Sequence, residues 1–291
     1  MEYTKLSNGI EMPVLGYGVY QIPEDEAERC VSDALSIGYR LIDTAQGYFN
    51  EAAVGAAINK SGIDRKDIFL VDKIFYSQFG YEKAKRSIEE SLKKLNTGYI
   101  DLMLLHQPFG DYYGAYRAME EFVDKGLIKS IGVSNFSAER FIDLYTNARI
   151  KPVINQCETH VFNQQTFLHG ILNEYGAKLM AWSPFAEGKN GFFSNKILAE
   201  IGKKYGKTGP QVALRYMVQN GIIVIPKSTH KERMQQNFDI FDFKLDKSDI
   251  ESISLLDERK ALIVDYSDIN VTKWFMKLMN APIDHVVTPG E

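Results

Sequence analysis

The sequence predicts a (β/α)8 barrel, preceded by a small β-hairpin and followed by a C-terminal tail. Short apolar runs alternate with amphipathic stretches along most of the 291 residues. Eight such runs occur, at residues 15–20, 39–43, 69–73, 100–105, 128–133, 152–156, 178–183 and 222–225. Most are continuously apolar, I-D-L-M-L-L being the clearest, as strands of a parallel sheet covered on both faces must be. A doubly wound open sheet is the competing architecture. It is disfavoured because Gly16-Tyr17-Gly18 runs on into V-Y-Q-I, without the glycine pattern of a dinucleotide-binding turn.

Each element has its own local reason. Asn8-Gly9 lies between two short apolar runs, the strongest short-range hairpin signal. After Pro23 and an acidic first turn, Ala27, Cys30, Val31, Ala34 and Leu35 share one helix face. Asn50 and Glu51 open a second helical pattern, and Ala84, Ile88, Leu92 and Leu95 form the stripe of a third. Further helices are predicted at 114–124, 138–145, 164–175, 196–205, 210–219 and 231–238. No low-complexity linker divides the chain, so the expectation is one domain over 1–291: hairpin 1–13, barrel 14–257 and tail 258–291. The tail carries Tyr266, Trp274, Phe275, Met276 and Met279, which either plug the bottom of the barrel or fold over its top.

Composition narrows the function class. An apolar fraction of 45% is ordinary for a globular chain with a sizeable core. A net charge of -4 argues against broad nucleic-acid binding, which calls for a basic face. Cys30 and Cys157 provide neither a disulfide framework nor metal-ligand spacing, so no metal is expected. The N-terminus lacks an apolar signal region, and no run approaches the roughly 18 residues of a membrane helix. These features predict a soluble cytoplasmic protein acting on a small molecule.

In barrels the site forms at the C-terminal strand ends and the loops after them. Those ends present Asp43, Lys73 and His106 in turn, with Tyr48 in the loop after the second strand. The set suits proton transfer to a carbonyl oxygen. The Lys73 ammonium would lower the Tyr48 pKa, Asp43 would hold the ammonium, and His106 would orient and polarise the carbonyl. No side chain supplies hydride, so a nicotinamide cofactor is implied. Ser134 and Asn135 follow strand five, and Asn155 and Gln156 end strand six; hydroxyl and amide groups suit a carboxamide. Trp182 and Ser183 close strand seven, and the indole offers either a flat face to a nicotinamide ring or core packing. After strand eight, Thr229 and Glu232 have capping-box spacing, and Lys227, Ser228 and Arg233 beside that helix start would make a phosphate site.

The segments L-I-D-T-A-Q-G-Y-F-N-E, L-L-H-Q-P, G-V-S-N-F and I-P-K-S-T-H-K-E-R-M-Q-Q-N together resemble the signatures of the aldo-keto reductase superfamily, bacterial type, near 2,5-diketogluconate and prostaglandin F synthase-like reductases. The resemblance implies NADP(H) extended across the strand ends and NADPH-dependent reduction of a small aldehyde, ketone or dicarbonyl. It implies Asp43, Tyr48, Lys73 and His106 as the catalytic set, with Tyr48 the proton donor. Ser134, Asn135 and Gln156 would hold the carboxamide and Trp182 would lie under the ring. Lys227, Ser228 and Arg233 would hold the 2′-phosphate, with Gln236 and Asn237 near the adenine. A monomer is the weaker implication. Departures sit at Tyr20, Gln107, Trp182 and Asp72, where other residue types are usual. Tyr20, Phe49 and Phe109 are the expected substrate-pocket residues. A Schiff-base aldolase using Lys73 and a regulatory NADP(H)-binding subunit are the alternatives.

Overall fold

The structure, a computed structural model, describes residues 1–279; the end of the expected tail, 280–291, lies outside the described residues. The hairpin forms where Asn8-Gly9 predicts it. Strands β1 (Tyr3–Lys5) and β2 (Glu11–Pro13) pair antiparallel. Gly9 takes φ 89°, a left-handed value that costs glycine nothing. Leu6 and Met12 from this hairpin join Leu41, Val71, Leu104 and Ile223 in one inner cluster. The hairpin therefore plugs the N-terminal end of the barrel.

Eight parallel strands follow: β3 (Tyr17–Gly18), β4 (Leu41–Asp43), β5 (Phe69–Ile74), β6 (Ile100–Leu105), β7 (Ile128–Ser134), β8 (Ile154–Glu158), β9 (Lys178–Trp182) and β10 (Ile223–Val224). Each pairs with its sequence neighbour, and the seam closes through a parallel bridge between Leu15 and Val224. Gly16 N–H donates to Val224 O at 2.8 Å, and Val224 N–H to Val14 O at 3.0 Å. The first strand is regular over only two residues because its start is taken up by this closure.

The outer layer comprises α1 (Glu24–Ile37), α2 (Glu51–Lys60), α3 (Tyr81–Leu95), α4 (Tyr112–Asp124), α5 (Ala138–Asn147), α6 (Thr166–Glu174), α7 (Lys196–Tyr205), α8 (Gly209–Gln219) and α9 (Lys231–Phe238). Two further helices, α10 (Lys247–Ser254) and α11 (Ile269–Leu278), were not anticipated. The first had a legible signal: Asp246 and Asp249 form a reciprocal capping box at its start. No helix among the described residues is long and apolar enough to cross a membrane.

The period of two along each strand decides what reaches the site. Leu41 and Val71 belong to the inner cluster, so Asp43 and Lys73, each two residues on, leave the barrel axis at its C-terminal end. His106 follows Leu102 and Leu104, Gln156 follows Ile154, and Trp182 follows Met180 in the same way. Asp72 has the opposite parity and faces the helical layer. Its unusual identity therefore bears on the packing of α2 and α3, not on the catalytic cavity.

Helix α2 crosses close to the end of α3. A methyl built on Gly55 would stand 2.0 Å from Leu95 O and 2.6 Å from its carbonyl carbon, a backbone neighbour that cannot swing away. Gly170 in α6 has nothing within 4 Å of such a methyl. Gly55→Ala should therefore destabilise by about 2–3 kcal/mol through overpacking. Gly170→Ala should stabilise by about 0.5–1 kcal/mol through helix propensity. Urea unfolding of both variants checks the opposite signs.

Candidate active site

Four of the sequence-predicted residues meet at one point. Lys73 Nζ donates to Asp43 Oδ1 at 2.5 Å, to Thr44 O at 2.9 Å and to Tyr48 OH at 3.2 Å. Asp43 Oδ2 accepts from Gln156 Nε2 at 2.7 Å, which joins the sixth barrel strand to the second. The Tyr48 and His106 rings meet edge-on, centroids 5.6 Å apart. Tyr48 reaches this point on a single 3-10 turn, Gln46–Tyr48. Two buried amides fix that turn. Gln46 donates to Ser87 O and Ser91 Oγ of α3 and accepts from Phe75 N–H, all at 2.9–3.1 Å. Asn50 accepts from Thr44 Oγ1 and donates to Val19 O and Ile22 O at 2.8–3.0 Å. Sequence reasoning singled out neither amide as a support. Their only signal is that uncharged polar residues flank the tyrosine in a loop that must be held still.

The electrostatics correct one expectation. Burial, and then the Asp43 carboxylate, hold the Tyr48 phenol well above its ordinary value; the Lys73 ammonium does not bring it down. The physical reason is that Asp43 cancels the lysine's charge at close range, so desolvation of the phenolate dominates. Burial raises the Asp43 carboxyl, while the ammonium and the Gln156 amide oppose that rise. Burial, reinforced by the Lys73 charge, drives the His106 imidazole well below its usual value. The ring is therefore neutral, and its buried Nδ1 has no hydrogen-bond partner among the described residues. A site holding a protonated phenol and a neutral imidazole can donate two hydrogen bonds to one oxygen.

The predicted cofactor residues divide into two groups. Ser134, Asn135, Gln156, Trp182, Ser183 and Lys227 line the same cavity of about 460 Å³ as Asp43, Tyr48 and His106. Asn135 sits at φ 65° and accepts from Trp182 Nε1 at 2.8 Å, so the indole is anchored at the rim and leaves a face to the cavity. Asn155 does not belong with them. Its side chain has outward parity and brackets the backbone of Phe136 through Oδ1 and Nδ2. At the far end, Lys227 is exposed and Ser228 half-buried; Arg233 and Gln236 are exposed on α9, where Asn237 is buried. Among the described residues neither Lys227 nor Arg233 forms an ion pair with an acidic group, whereas neighbouring Lys231 reaches Asp33 at 3.0 Å. Unpaired cations beside a helix start fit a phosphate. The expected capping box does not form. His230 stands at the cap of α9, no side chain caps it, and Ser228 Oγ instead accepts from His230 N–H at 3.1 Å. One residue of displacement takes Thr229 out of the cap position and frees the amides at the start of α9.

The described part of the tail, residues 258–279, folds over the top of the barrel. Ile263, Val264, Tyr266, Trp274 and Phe275 line the cavity together with Tyr20. Phe75 and Tyr76, immediately after β5, and Phe185 and Phe193, after β9, add to the apolar wall and were missed, although the loop after a strand end is where they should have been sought. Two expected pocket residues are placed elsewhere. Phe49 takes φ 57°, is 51% exposed and does not line the cavity, because the left-handed turn after Tyr48 directs it outward. Phe109 is buried beneath the tail, stacked on Phe275 at 4.9 Å. It lines a separate cleft of about 830 Å³ that contains none of Asp43, Tyr48 and His106. Phe109 thus supports the pocket wall from behind.

Beneath Lys73, Asp72 accepts from the Lys73 N–H at 2.8 Å and is fully buried near Glu51. Burial, and then the Glu51 charge, push the Asp72 carboxyl well above its ordinary 3.8. The native state therefore keeps this proton to a higher pH than the unfolded chain, and stability falls as pH rises from about 4 towards the raised value. Asp72→Asn retains the acceptor and removes the titration. Its denaturant midpoint should exceed that of the wild type near neutrality and converge with it below about pH 4.

Comparison with known proteins agrees with this geometry. Residues 14–258 match the Aldo/keto reductase family. Methylglyoxal reductase DkgA of Escherichia coli is 39% identical over 261 residues, spanning 89% of this chain and 94% of that protein. Glyoxal reductase of Bacillus subtilis is 40% identical over 259 residues, 88% of this chain and 93% of that one. The crystal structure of the Bombyx mori aldo-keto reductase in complex with NADP matches with a TM-score of 0.87 at 33% identity, covering 92% of this chain and 96% of that one. From its strand-end constellation and from these matches, the chain belongs to the aldo/keto reductase family and is an NADP-dependent oxidoreductase.

Proposed function

We propose that this chain reduces small aldehydes and dicarbonyls of the methylglyoxal type to alcohols, with Tyr48 as the proton donor. The observation that carries this reading is the single ammonium of Lys73 in contact with Asp43, Thr44 O and the Tyr48 hydroxyl. NADPH, when bound, supplies the hydride. The side chains do the rest. Tyr48 stays protonated until an alkoxide forms within its reach, then gives up its proton. The phenolate left behind lies 3.2 Å from an ammonium already in place, so little reorganisation is needed. Neutral His106, with its proton on Nε2, donates to the same oxygen and orients the carbonyl. The apolar wall of Tyr20, Phe75, Tyr266, Trp274 and Phe275 excludes water.

The similarity to methylglyoxal and glyoxal reductases supports the dicarbonyl class. The Schiff-base alternative loses support because all three donor positions of Lys73 Nζ are occupied, which leaves no approach for a carbonyl carbon. Ser134, Asn135 and Gln156 are the carboxamide partners in this reading, Trp182 and Ser183 flank the ring, and Lys227, Ser228 and Arg233 hold the 2′-phosphate. Gln236 and Asn237 lie toward the adenine.

Two measurements test the reading. Tyr48→Phe should lower kcat for methylglyoxal by about 10²–10⁴-fold while NADPH still quenches protein fluorescence at wild-type concentrations. Loss of NADPH binding together with turnover would reassign Tyr48 to structure. Lys227→Ala with Arg233→Ala should weaken NADPH by about 10–100-fold and leave NADH nearly unchanged. An equal loss for both cofactors would place the 2′-phosphate elsewhere.

A further inference from the structure

One buried acid near the site has no part in this chemistry. Glu158 ends β8 two residues beyond Gln156, on the same side of the strand. It is 3% exposed and lines the adjoining cleft of about 830 Å³, not the catalytic cavity. Instead it accepts from three successive backbone amides of the tail. Oε1 receives Leu262 N–H at 2.6 Å and Ile263 N–H at 3.2 Å. Oε2 receives Ile263 N–H at 3.2 Å and Val264 N–H at 3.1 Å. His160 Nε2 lies 3.1 Å from Oε1 and fixes the carboxylate from the other side. Consecutive amides wrapped around an anion form a nest, and charge on the buried carboxylate makes such bonds strong.

The three amides belong to the segment that delivers Ile263, Val264 and Tyr266 to the cavity wall and leads on to Trp274 and Phe275. Elsewhere in this segment the Tyr266 hydroxyl meets Gln107 and Glu258 N–H donates to Phe162 O at 2.9 Å, while two side-chain ties are exposed. Lys189 Nζ donates to Leu262 O at 3.1 Å, and Asn190 Nδ2 to Glu258 Oε1 at 2.6 Å. Water competes for those exposed bonds more than for the ones to the buried Glu158 carboxylate.

We infer that Glu158 is a positioning residue: its carboxylate latches residues 262–264 onto the end of β8 and so sets the bulk of carbonyl compound that the cavity accepts. The inference rests on the reading of that cavity as the substrate site. Strand β8 then does two tasks on one face, with Gln156 turned to Asp43 and Glu158 turned to the lid. A small dicarbonyl engages chiefly Tyr48 and His106 and depends little on the lid. An aromatic aldehyde must fill the space that Val264, Tyr266 and Trp274 enclose, so it depends on the latch.

Glu158→Gln keeps the volume but turns one acceptor into a donor facing the tail amides. In this variant KM for benzaldehyde should rise about tenfold or more, with kcat and the KM for methylglyoxal changed less than about threefold and NADPH affinity unaltered. Glu158→Asp, which keeps the charge one methylene further away, should fall between it and the wild type, and it serves where Glu158→Gln folds poorly. Limited trypsin digestion reads the latch without turnover. Cleavage after Arg259, Lys260 or Lys273, all exposed, should accelerate about tenfold while the barrel stays intact. An equal rise in KM for both substrates, a parallel loss of NADPH binding, or an unchanged cleavage rate would overturn the latch. Should the wild type reduce neither compound, the substrate reading fails, and the tryptic rates alone decide whether Glu158 holds the tail.

Discussion

The buried ion pair between Lys73 and Asp43 is the constraint on which the site depends. Both side chains are almost wholly removed from water, at 0% and 2% exposure. Two charges in that position cost several kcal/mol each in lost hydration, and their attraction offsets this only when every donor and acceptor is satisfied. Here they are. The ammonium spends its hydrogen bonds on Asp43, Thr44 O and Tyr48, and the second carboxylate oxygen takes the Gln156 amide. That requirement ties β4, β5, β8 and the loop after β4 to a common point. The barrel is the scaffold that lets residues 43, 73 and 156 meet at all.

Because the pair is neutral as a unit, its neighbours feel burial more than charge. The phenol of Tyr48 is pushed up and the imidazole of His106 down, so each is held in its neutral, proton-bearing form. A free lysine at the same distance would have pulled the phenol toward ionisation and lowered the fraction that carries its proton. In the reaction proposed for this site, the paired lysine acts later, on the phenolate. In that arrangement the stabilisation is directed at the state formed during reaction and not at the resting state.

The tail shows how the strand-end constellation is given a particular pocket. The strand ends carry the proposed reacting groups, whereas much of the apolar wall comes from residues 263–275, from the loop after β5 and from the segment after β9. Phe109 illustrates the difference between near and lining: it stacks on Phe275 and shapes the wall without reaching the cavity. Glu158 sits at the junction of the two parts, a strand-end residue whose carboxylate meets three tail amides and His160.

Much of this was legible in the sequence, for a physical reason. Alternating apolar runs and amphipathic stretches are local patterns, and the period of two along a strand determines which side chain leaves at its end. Asp43, Lys73, His106, Gln156 and Trp182 follow from that rule. What a strand-end rule cannot supply is the direction of a side chain in a turn or the partner of a side chain far away in sequence. Phe49, sent outward by a left-handed turn, was misplaced for the first reason. The role of Asn155, the loss of the capping box at Thr229 and the hold of Glu158 on residues 262–264 were hidden for the second. The sign of the Tyr48 shift was decided only in three dimensions, because it depends on how closely Asp43 approaches Lys73 and how little water reaches either. Sequence periodicity thus determined the barrel and which polar side chains gather at its C-terminal end; burial and long-range contact decided their protonation and the wall around them.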